Sequence, residues 1–130
     1  MTMLAVVAES DIRPGYNGSG GAYALGTCVQ KTAGQKFQIL VTTNVTSVAY
    51  GVVCDALGIA NLATGNIQIR GIARVLCGNN VTEGARVSAD NTGRVVDSVA
   101  TNVIFGTALE AGTAGNIIEV ELAGPNGSIM

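Results

Sequence analysis

The reactive inventory of the chain is nine carboxylates and three thiols, with no histidine to work beside them. Without histidine there is no Ser-His or Cys-His pair to generate a nucleophile, and the usual zinc ligand set is missing. The carboxylates are Glu9, Asp11, Asp55, Glu83, Asp90, Asp97, Glu110, Glu119 and Glu121. An acid–base pair or a hard-metal cage needs several of them to converge. Glu119 and Glu121 come nearest, because residues two apart on a strand share a face. Beside an apolar register of Ile118, Val120 and Leu122, the same spacing describes a solvated strand face, and that is the expectation. No catalytic residue, cofactor-binding residue or metal ligand is assigned, and no enzyme activity is expected.

The remaining chemical signals weaken in the same way. Cys28, Cys54 and Cys77 form no C-x-x-C pair, and an odd, widely spaced set fits neither a disulfide framework nor a zinc site. They lie in the apolar runs "LGTCVQ", "GVVCDAL" and "ARVLCG", which predicts small buried thiols kept reduced in a cytosol. "PGYNGSGG" lacks the G-K-[ST] ending and the following helix of a phosphate loop, so it reads as a flexible connection. "ADNTG" lacks the spaced acidic ligands of a calcium loop and reads as a hairpin turn. The N-x-[ST] sequons at Asn17, Asn44, Asn80 and Asn126 matter only in a secretory context. "MLAVVA" is too short for a signal-peptide core and has no basic flank, so a soluble, unprocessed protein is expected.

The elements that would position these groups are strands. From Leu25 onward apolar residues alternate, with turn signals every 8 to 12 residues, the pattern of an all-β sandwich or barrel. "KFQILVT" places Phe37, Ile39 and Val41 on one face, and "SVAYGVVCD" is a second run broken by Gly51. "GNIQIRGIARVLCG" sets Ile67, Ile69, Ala73, Val75 and Cys77 against Gln68, Arg70 and Arg74, with a bulge or bend expected at Gly71. "ARVSA" and "RVV" form a hairpin about "DNTG", and "TNVIFGTAL" contributes Val103 and Phe105. "TALEAGTA" is too short and glycine-broken for a stable helix, so it predicts a strand end and a connection into "NIIEVEL". Residues 8 to 24 carry Pro14 and four glycines, the chemistry of a linker. The expected organisation is an amino-terminal arm over 1–20, a β domain over 21–124 and a short tail over 125–130.

Composition narrows the class further. At 130 residues one domain is expected, and with 4% aromatics its core must be built from Val, Ile, Leu and Ala. Charged residues are 12%, against about 25% in ordinary domains. The seven basic residues are scattered and the net charge is −2, which argues against nucleic acid as a partner. No membrane partner is expected either, as no run approaches the ~18 apolar residues of a spanning helix. So charge-poor a surface suits a protein covered by partners.

The succession "GIARVLCGNNVTEGARVSADNTGRVVDS…NVIFGTALEAGTAGNIIEVEL", about residues 71 to 122, resembles the head-decoration, or capsid cement, proteins of tailed bacteriophages. The shared features are a G-x-A-x-V strand, then an E-G step in which Val81, Gly84 and Val87 match, a "TGRV" hairpin turn, "FGTALE", and the closing "IIEVEL". Upstream, "AYGVVCDAL" extends the likeness to about residue 46. The resemblance implies a non-enzymatic β-tulip or small barrel-like domain, without cofactors, assembled as a homotrimer. Such a protein is made in the bacterial host cytoplasm. It binds the major capsid protein on the outer surface of an icosahedral head, clamping neighbouring subunits.

In that setting Met3, Leu4, Ala5, Val6 and Val7 are the expected capsid-binding arm. They are apolar, β-prone and suited to strand addition, which gains main-chain hydrogen bonds without needing charge. Two other readings stand beside this one. The first is another virion accessory β domain of a tail or fibre. The second is a trimeric β ligand-binding or nucleotide-hydrolase domain like the trimeric dUTPases, whose glycine-rich phosphate loop and acidic water-activating residue have no recognisable counterpart here.

Overall fold

Alternating apolar residues give each strand one face to bury, and here those faces close on themselves twice. The computed structural model describes residues 12–18, 20–32, 38–42, 50–99, 102–122 and 128–129, and among these it has strands and turns but no helix. The strands are β1 (Ile12–Asn17), β2 (Cys28–Lys31), β3 (Gln38–Val41), β4 (Gly51–Val53), β5 (Thr64–Gln68) and β6 (Ile72–Leu76). They continue with β7 (Arg86–Ala89), β8 (Val95–Asp97), β9 (Val103–Ile104), β10 (Gly106–Ala108), β11 (Ile117–Leu122) and β12 (Ser128–Ile129).

The first five close a barrel in the order β1-β3-β2-β4-β5, with β5 returning to β1 and only β1–β3 parallel. A second, antiparallel sheet has the order β6-β11-β10-β7-β8. Just past the end of β6, a parallel bridge joins Cys77 to Val95, the first residue of β8, and the Gly78 N–H donates to the Val95 carbonyl at 2.8 Å. The second sheet therefore curls almost shut. β9 and β12 pair separately.

Each curl holds its own core. Val29, Ile39, Val53, Ile59 and Ile67 fill the barrel, while Val75, Val87, Val95, Ile118 and Val120 fill the second sheet. Cys28 and Val52 belong to barrel strands yet pack in the second core. Successive side chains on a strand point to opposite faces, so Val29 and Val53 point into the barrel while their neighbours Cys28 and Val52 point out, under the second sheet. All three residues of β4 are consequently buried. Fully burying one Val or Ile contributes about 1.5–3 kcal/mol, so this shared wall is a principal contact between the halves.

The expected closing hairpin is present. β10 and β11 pair antiparallel, and Ile118, Val120 and Leu122 are buried while Glu119 and Glu121 are exposed. The connection turns about Asn116, whose Oδ1 accepts from the Thr113 N–H and hydroxyl, both at 2.9 Å. The long run through Gly71 breaks there, and β5 stays in the barrel as β6 enters the second sheet.

Four expectations need correction. Residues 12–17, read from their glycines as part of an arm and linker, are barrel strand β1. Gly15 faces the crowded interior, where a Cβ would come within 2.6 Å of Ile67 Cγ1, so this glycine serves close packing and not flexibility. The boundary at residue 20 therefore cuts through the barrel's own sequence, whereas Met3 to Val7 lie outside the described residues, as does Phe37. Gln68, expected outward with Arg70 and Arg74, is buried, because its amide donates to the carbonyls of Arg70 at 2.8 Å and Ile72 at 2.9 Å. Alternation also fails between β9 and β10, where Ile104 and Phe105 are both buried and Val103 only partly so. In the 125–130 tail, residues 128–129 form β12, while 125–127 and 130 lie outside the described residues.

The "DNTG" hairpin fastens the halves together. Asp90 Oδ1 accepts from the N–H groups of Thr92 at 2.8 Å and Arg94 at 3.1 Å, and Gly93 takes φ +77°. From that turn the Gly93 carbonyl receives the Cys28 N–H at 2.7 Å, and the Asp90 carbonyl receives the Thr42 hydroxyl. A Cβ at Gly93 would meet Thr27 Cγ2 at 2.8 Å and the Cys28 carbonyl at 3.0 Å, in a backbone conformation that side chains rarely adopt. Gly93→Val is expected to destabilise the fold by about 2–3 kcal/mol, read as a lower urea midpoint with an unchanged m-value.

Candidate functional site

The described carboxylates singled out for chemistry are spread over the molecule, several of them occupied locally, while Glu9 and Asp11 lie outside the described residues. Asp55 accepts from the Asn66 backbone at 3.0 Å and side-chain amide at 2.9 Å. Asp97 accepts from the Thr82 N–H at 3.1 Å and hydroxyl at 3.0 Å, and Asp90 holds its hairpin turn. Glu119 and Glu121 do share the outer face of the second sheet. There Glu119 stands opposite Arg74 and Glu121 opposite Ile72, while the Glu119 N–H donates to Glu110 Oε2 at 2.9 Å. No group of three or more acidic or cysteine residues is placed to hold a metal ion among the described residues.

The glycine-rich segment has a structural explanation. Asn17 is fully buried, and its amide donates to the carbonyls of Gly21 at 2.7 Å and Ile59 at 3.0 Å. Gly20 N–H donates to Asn61 Oδ1 at 2.9 Å. Asn17 thus ties Gly21 to the barrel side through a buried amide, and this sequon asparagine is inaccessible.

What the structure does assemble is a two-lobed cleft beside β6. One lobe, about 310 Å³, is lined by Ile12, Val52, Cys54 and Gln68 of the barrel side and by Ile72, Ala73 and Arg74 of β6, with Leu25 at its margin. The other, about 330 Å³, lies between Leu25, Arg74, Glu110, Ile117, Ile118 and Glu119. Leu25 and Arg74 line both lobes. The first mixes apolar side chains with the Cys54 thiol, the Gln68 amide and the Arg74 guanidinium, whereas two carboxylates face the second.

β6 is an edge strand of its sheet. Hydrogen bonds from Leu122 N–H to the Gly71 carbonyl and from Cys77 N–H to the Asn116 carbonyl fix the phase of its pairing with β11. Antiparallel pairs alternate, so Ala73 and Val75 exchange bonds with β11 while Ile72, Arg74 and Leu76 direct theirs away. Leu76 N–H is taken by the Gly26 carbonyl at 3.1 Å, and the Ile72 carbonyl by Gln68. The amides of Ile72 and Arg74 remain turned to the open side.

The cleft escaped sequence reading, though one signal was there. Ile72 has the parity of Arg70 and Arg74, and Ile117 that of Glu119 and Glu121, so each is an apolar residue on a polar face; both are about half exposed. A second exposed pair sits between β4 and β5, where Leu57 is fully exposed and Leu62 is 67% exposed at φ +64°. Left-handed backbone is unfavourable for leucine. Here it is held by the Leu62 N–H donating to the Asn17 carbonyl at 2.7 Å.

The thiols divide by depth. Cys28 and Cys77 are buried, while Cys54 is only partly buried, so the expectation of three buried thiols is corrected at Cys54. Its Sγ lies 3.4 Å from the Asn66 carbonyl. Burial, with the Asp90 carboxylate adding to it, pushes the Cys28 thiol well above the ordinary range. Burial first and Asp55 second raise Cys54, against a smaller opposing backbone hydrogen bond.

No family model matches the chain, and no curated protein matches it. Among solved structures, it is similar to the crystal structure of the head fiber gp8.5 N base in bacteriophage phi29. The TM-score is 0.69 at 13% identity, over 92% of this chain and 97% of that one. A likeness at that identity establishes a shared fold.

Two outcomes follow from the thiols. At about pH 8, Ellman's reagent should label Cys54 in the folded protein, with Cys28 and Cys77 reacting only on unfolding. Because the folded state resists deprotonation of Cys28, its contribution to stability is intact below the unfolded thiol value of about 8.5 and is lost as pH rises toward the folded one. Thermal melting from pH 8 to 10 should show that decline, and Cys28→Ala should flatten part of it.

Proposed function

We propose that this protein is a structural component of a bacteriophage virion, fixed as a homotrimer to the outside of the head, where it clamps neighbouring copies of the major capsid protein. The observation that carries the reading is the shared fold with a phage head fiber base, which spans nearly the whole of both chains. It agrees with the order of motifs over residues 46 to 122. Physical features support it as well. A chain with only 12% charged residues that exposes Leu57, Leu62, Ile72, Val99 and Ile117 is costly as a free monomer and less so when covered. The carboxylates for which bonds were described brace turns or strand ends, which suits a scaffold and not a catalyst.

Clamping in this scheme is additive. Each protomer gains little, but a trimer touching several capsid subunits multiplies the gain through effective concentration. Met3 to Val7 supply the strand that joins a capsid sheet edge.

A second reading, the base of a projecting fibre, is favoured by the nature of the neighbour itself. In that case the domain seats a shaft on the head instead of bracing several subunits. Heating decorated and undecorated heads and counting the DNA-filled particles by electron microscopy separates them, since a cement protein raises the temperature at which heads lose DNA and a fibre base leaves it unchanged.

Removing residues 1–8 is expected to leave a folded domain whose binding to cognate heads falls by about ten-fold or more, equivalent to about 1.4 kcal/mol. Unchanged binding in a sedimentation assay would discard the arm's role. Removal of residues 1–20 is a different experiment, because it deletes β1, opens the barrel and should abolish cooperative unfolding.

A further inference from the structure

We infer that Asn17–Gly18 is a modification site masked by the closed barrel: opening of β1 releases it to spontaneous deamidation, and the product cannot be taken back into the fold. An asparagine followed by glycine is especially open to this reaction, because glycine has no Cβ to shield its nitrogen and its backbone bends most freely. The Gly18 nitrogen gives up its proton to solvent base and attacks Asn17 Cγ. The new N–Cγ bond closes a cyclic imide as the Cγ–Nδ2 bond breaks, and ammonia leaves with a proton taken from water. Water then adds to the ring and opens it. Opening at Cγ leaves aspartate, and opening at the main-chain carbonyl leaves isoaspartate.

The folded barrel opposes each step. Asn17 is fully buried, away from the solvent base and water that the reaction consumes. Its Nδ2, the leaving group, is held by the carbonyls of Gly21 at 2.7 Å and Ile59 at 3.0 Å. Its backbone is held as well, since its N–H donates to the Ala63 carbonyl at 2.9 Å and its carbonyl receives the Leu62 N–H at 2.7 Å. Ring closure must swing Cγ onto the next nitrogen, which breaks both amide bonds and turns the peptide that Leu62 holds. Asn17 also stands opposite Ile39 in the parallel β1–β3 pair of the barrel. The site therefore reacts when β1 leaves its neighbours.

Packing explains why so labile a pair stands here. The asparagine supplies a donor to two carbonyls at a buried position. The glycine is set by space, because a Cβ at Gly18 would come within 2.9 Å of Gln38 Nε2 and 3.1 Å of Tyr16 Cε2. Deamidation undoes this arrangement. Aspartate turns an oxygen, and a charge, toward carbonyls that had received N–H groups, and a buried charge without a partner is strongly unfavourable. Isoaspartate lengthens the main chain at the end of β1. The pairing of Tyr16 with Gln38 and the bonds to Leu62 and Ala63 then cannot both be kept. Barrel opening thus becomes irreversible once it outlasts ring closure, whatever the protein binds.

The test uses the full chain, aged in mildly alkaline buffer with and without guanidinium chloride, with deamidation at each asparagine followed by mass spectrometry of peptides. The sequence carries the same triplet twice, Asn17-Gly18-Ser19 and Asn126-Gly127-Ser128, so Asn126 is the reference for the unfolded rate. In denaturant the two should react alike. Without it, Asn17 should react about 100-fold or more slowly than in denaturant, at a rate set by the population of opened β1. Equal rates at Asn17 in the two conditions overturn the inference. In a second arm the Asn126→Gln variant is aged in denaturant and then refolded by dilution. The fraction that regains a cooperative melt should fall in step with Asn17 modification, and the refolded material should retain unmodified Asn17. Refolded protein rich in modified Asn17, with an unchanged melting temperature, overturns it as well. Asn17→Asp made directly should melt lower or fail to fold, and melting like the parent protein would again overturn it.

Discussion

The structure depends on one wall that is buried on both sides. β2 and β4 close the barrel with Val29 and Val53, and with the alternate residues Cys28 and Val52 they close the second sheet's core. A strand used in this way cannot be half polar, which explains why "TCV" and "GVV" are continuous apolar or small runs. The arrangement also answers the shortage of aromatic residues. Two thin curls, filled mainly with Val and Ile, take one buried aromatic each, Tyr23 in the barrel and Phe105 in the second core, and the shared wall lets both draw on the same few strands.

Polar groups in this chain are spent on geometry. Asn17 anchors the glycine-rich turn, Asp90 shapes the hairpin that docks on β2, and Asn116 shapes the connection into β11. Ser88, fully buried, bonds to Ser98 and to the Val103 carbonyl at 2.7 Å, tying β9 to the second sheet. A buried polar group without a partner costs about 1–3 kcal/mol, and among the described residues every buried side-chain polar atom has one. Asp55, Asp90, Asp97 and Glu110 are likewise committed to bonds within the domain, whereas Leu57 and Leu62 stay exposed.

The strand pattern was legible because alternation is a local property. "NIIEVEL", the "DNTG" hairpin and the break at Gly71 all lie where period two and turn residues place them. The readings that failed did so where a residue's role is set by something distant. Gly15 looked like a hinge and is a packing residue, because the Ile67 side chain of the adjacent strand β5 fills the space beside it. Gln68 looked solvated and is buried, because the chain folds back past Gly71 and brings two carbonyls to its amide.

The sequence by itself determined an all-β chain, poor in charge and without histidine, so that no Ser-His or Cys-His pair can be built from it. Those properties follow from composition and from the two-residue period of a strand, neither of which requires knowing what lies opposite. Only the tertiary structure decided that the strands form two curls on one wall, that residues 12–17 belong to the barrel, and that Ile12, Cys54 and Ile72 meet at one cleft. Those facts concern pairs of residues tens of positions apart. Their proximity is fixed by sheet closure and by the second core over Cys28 and Val52, which no local pattern encodes.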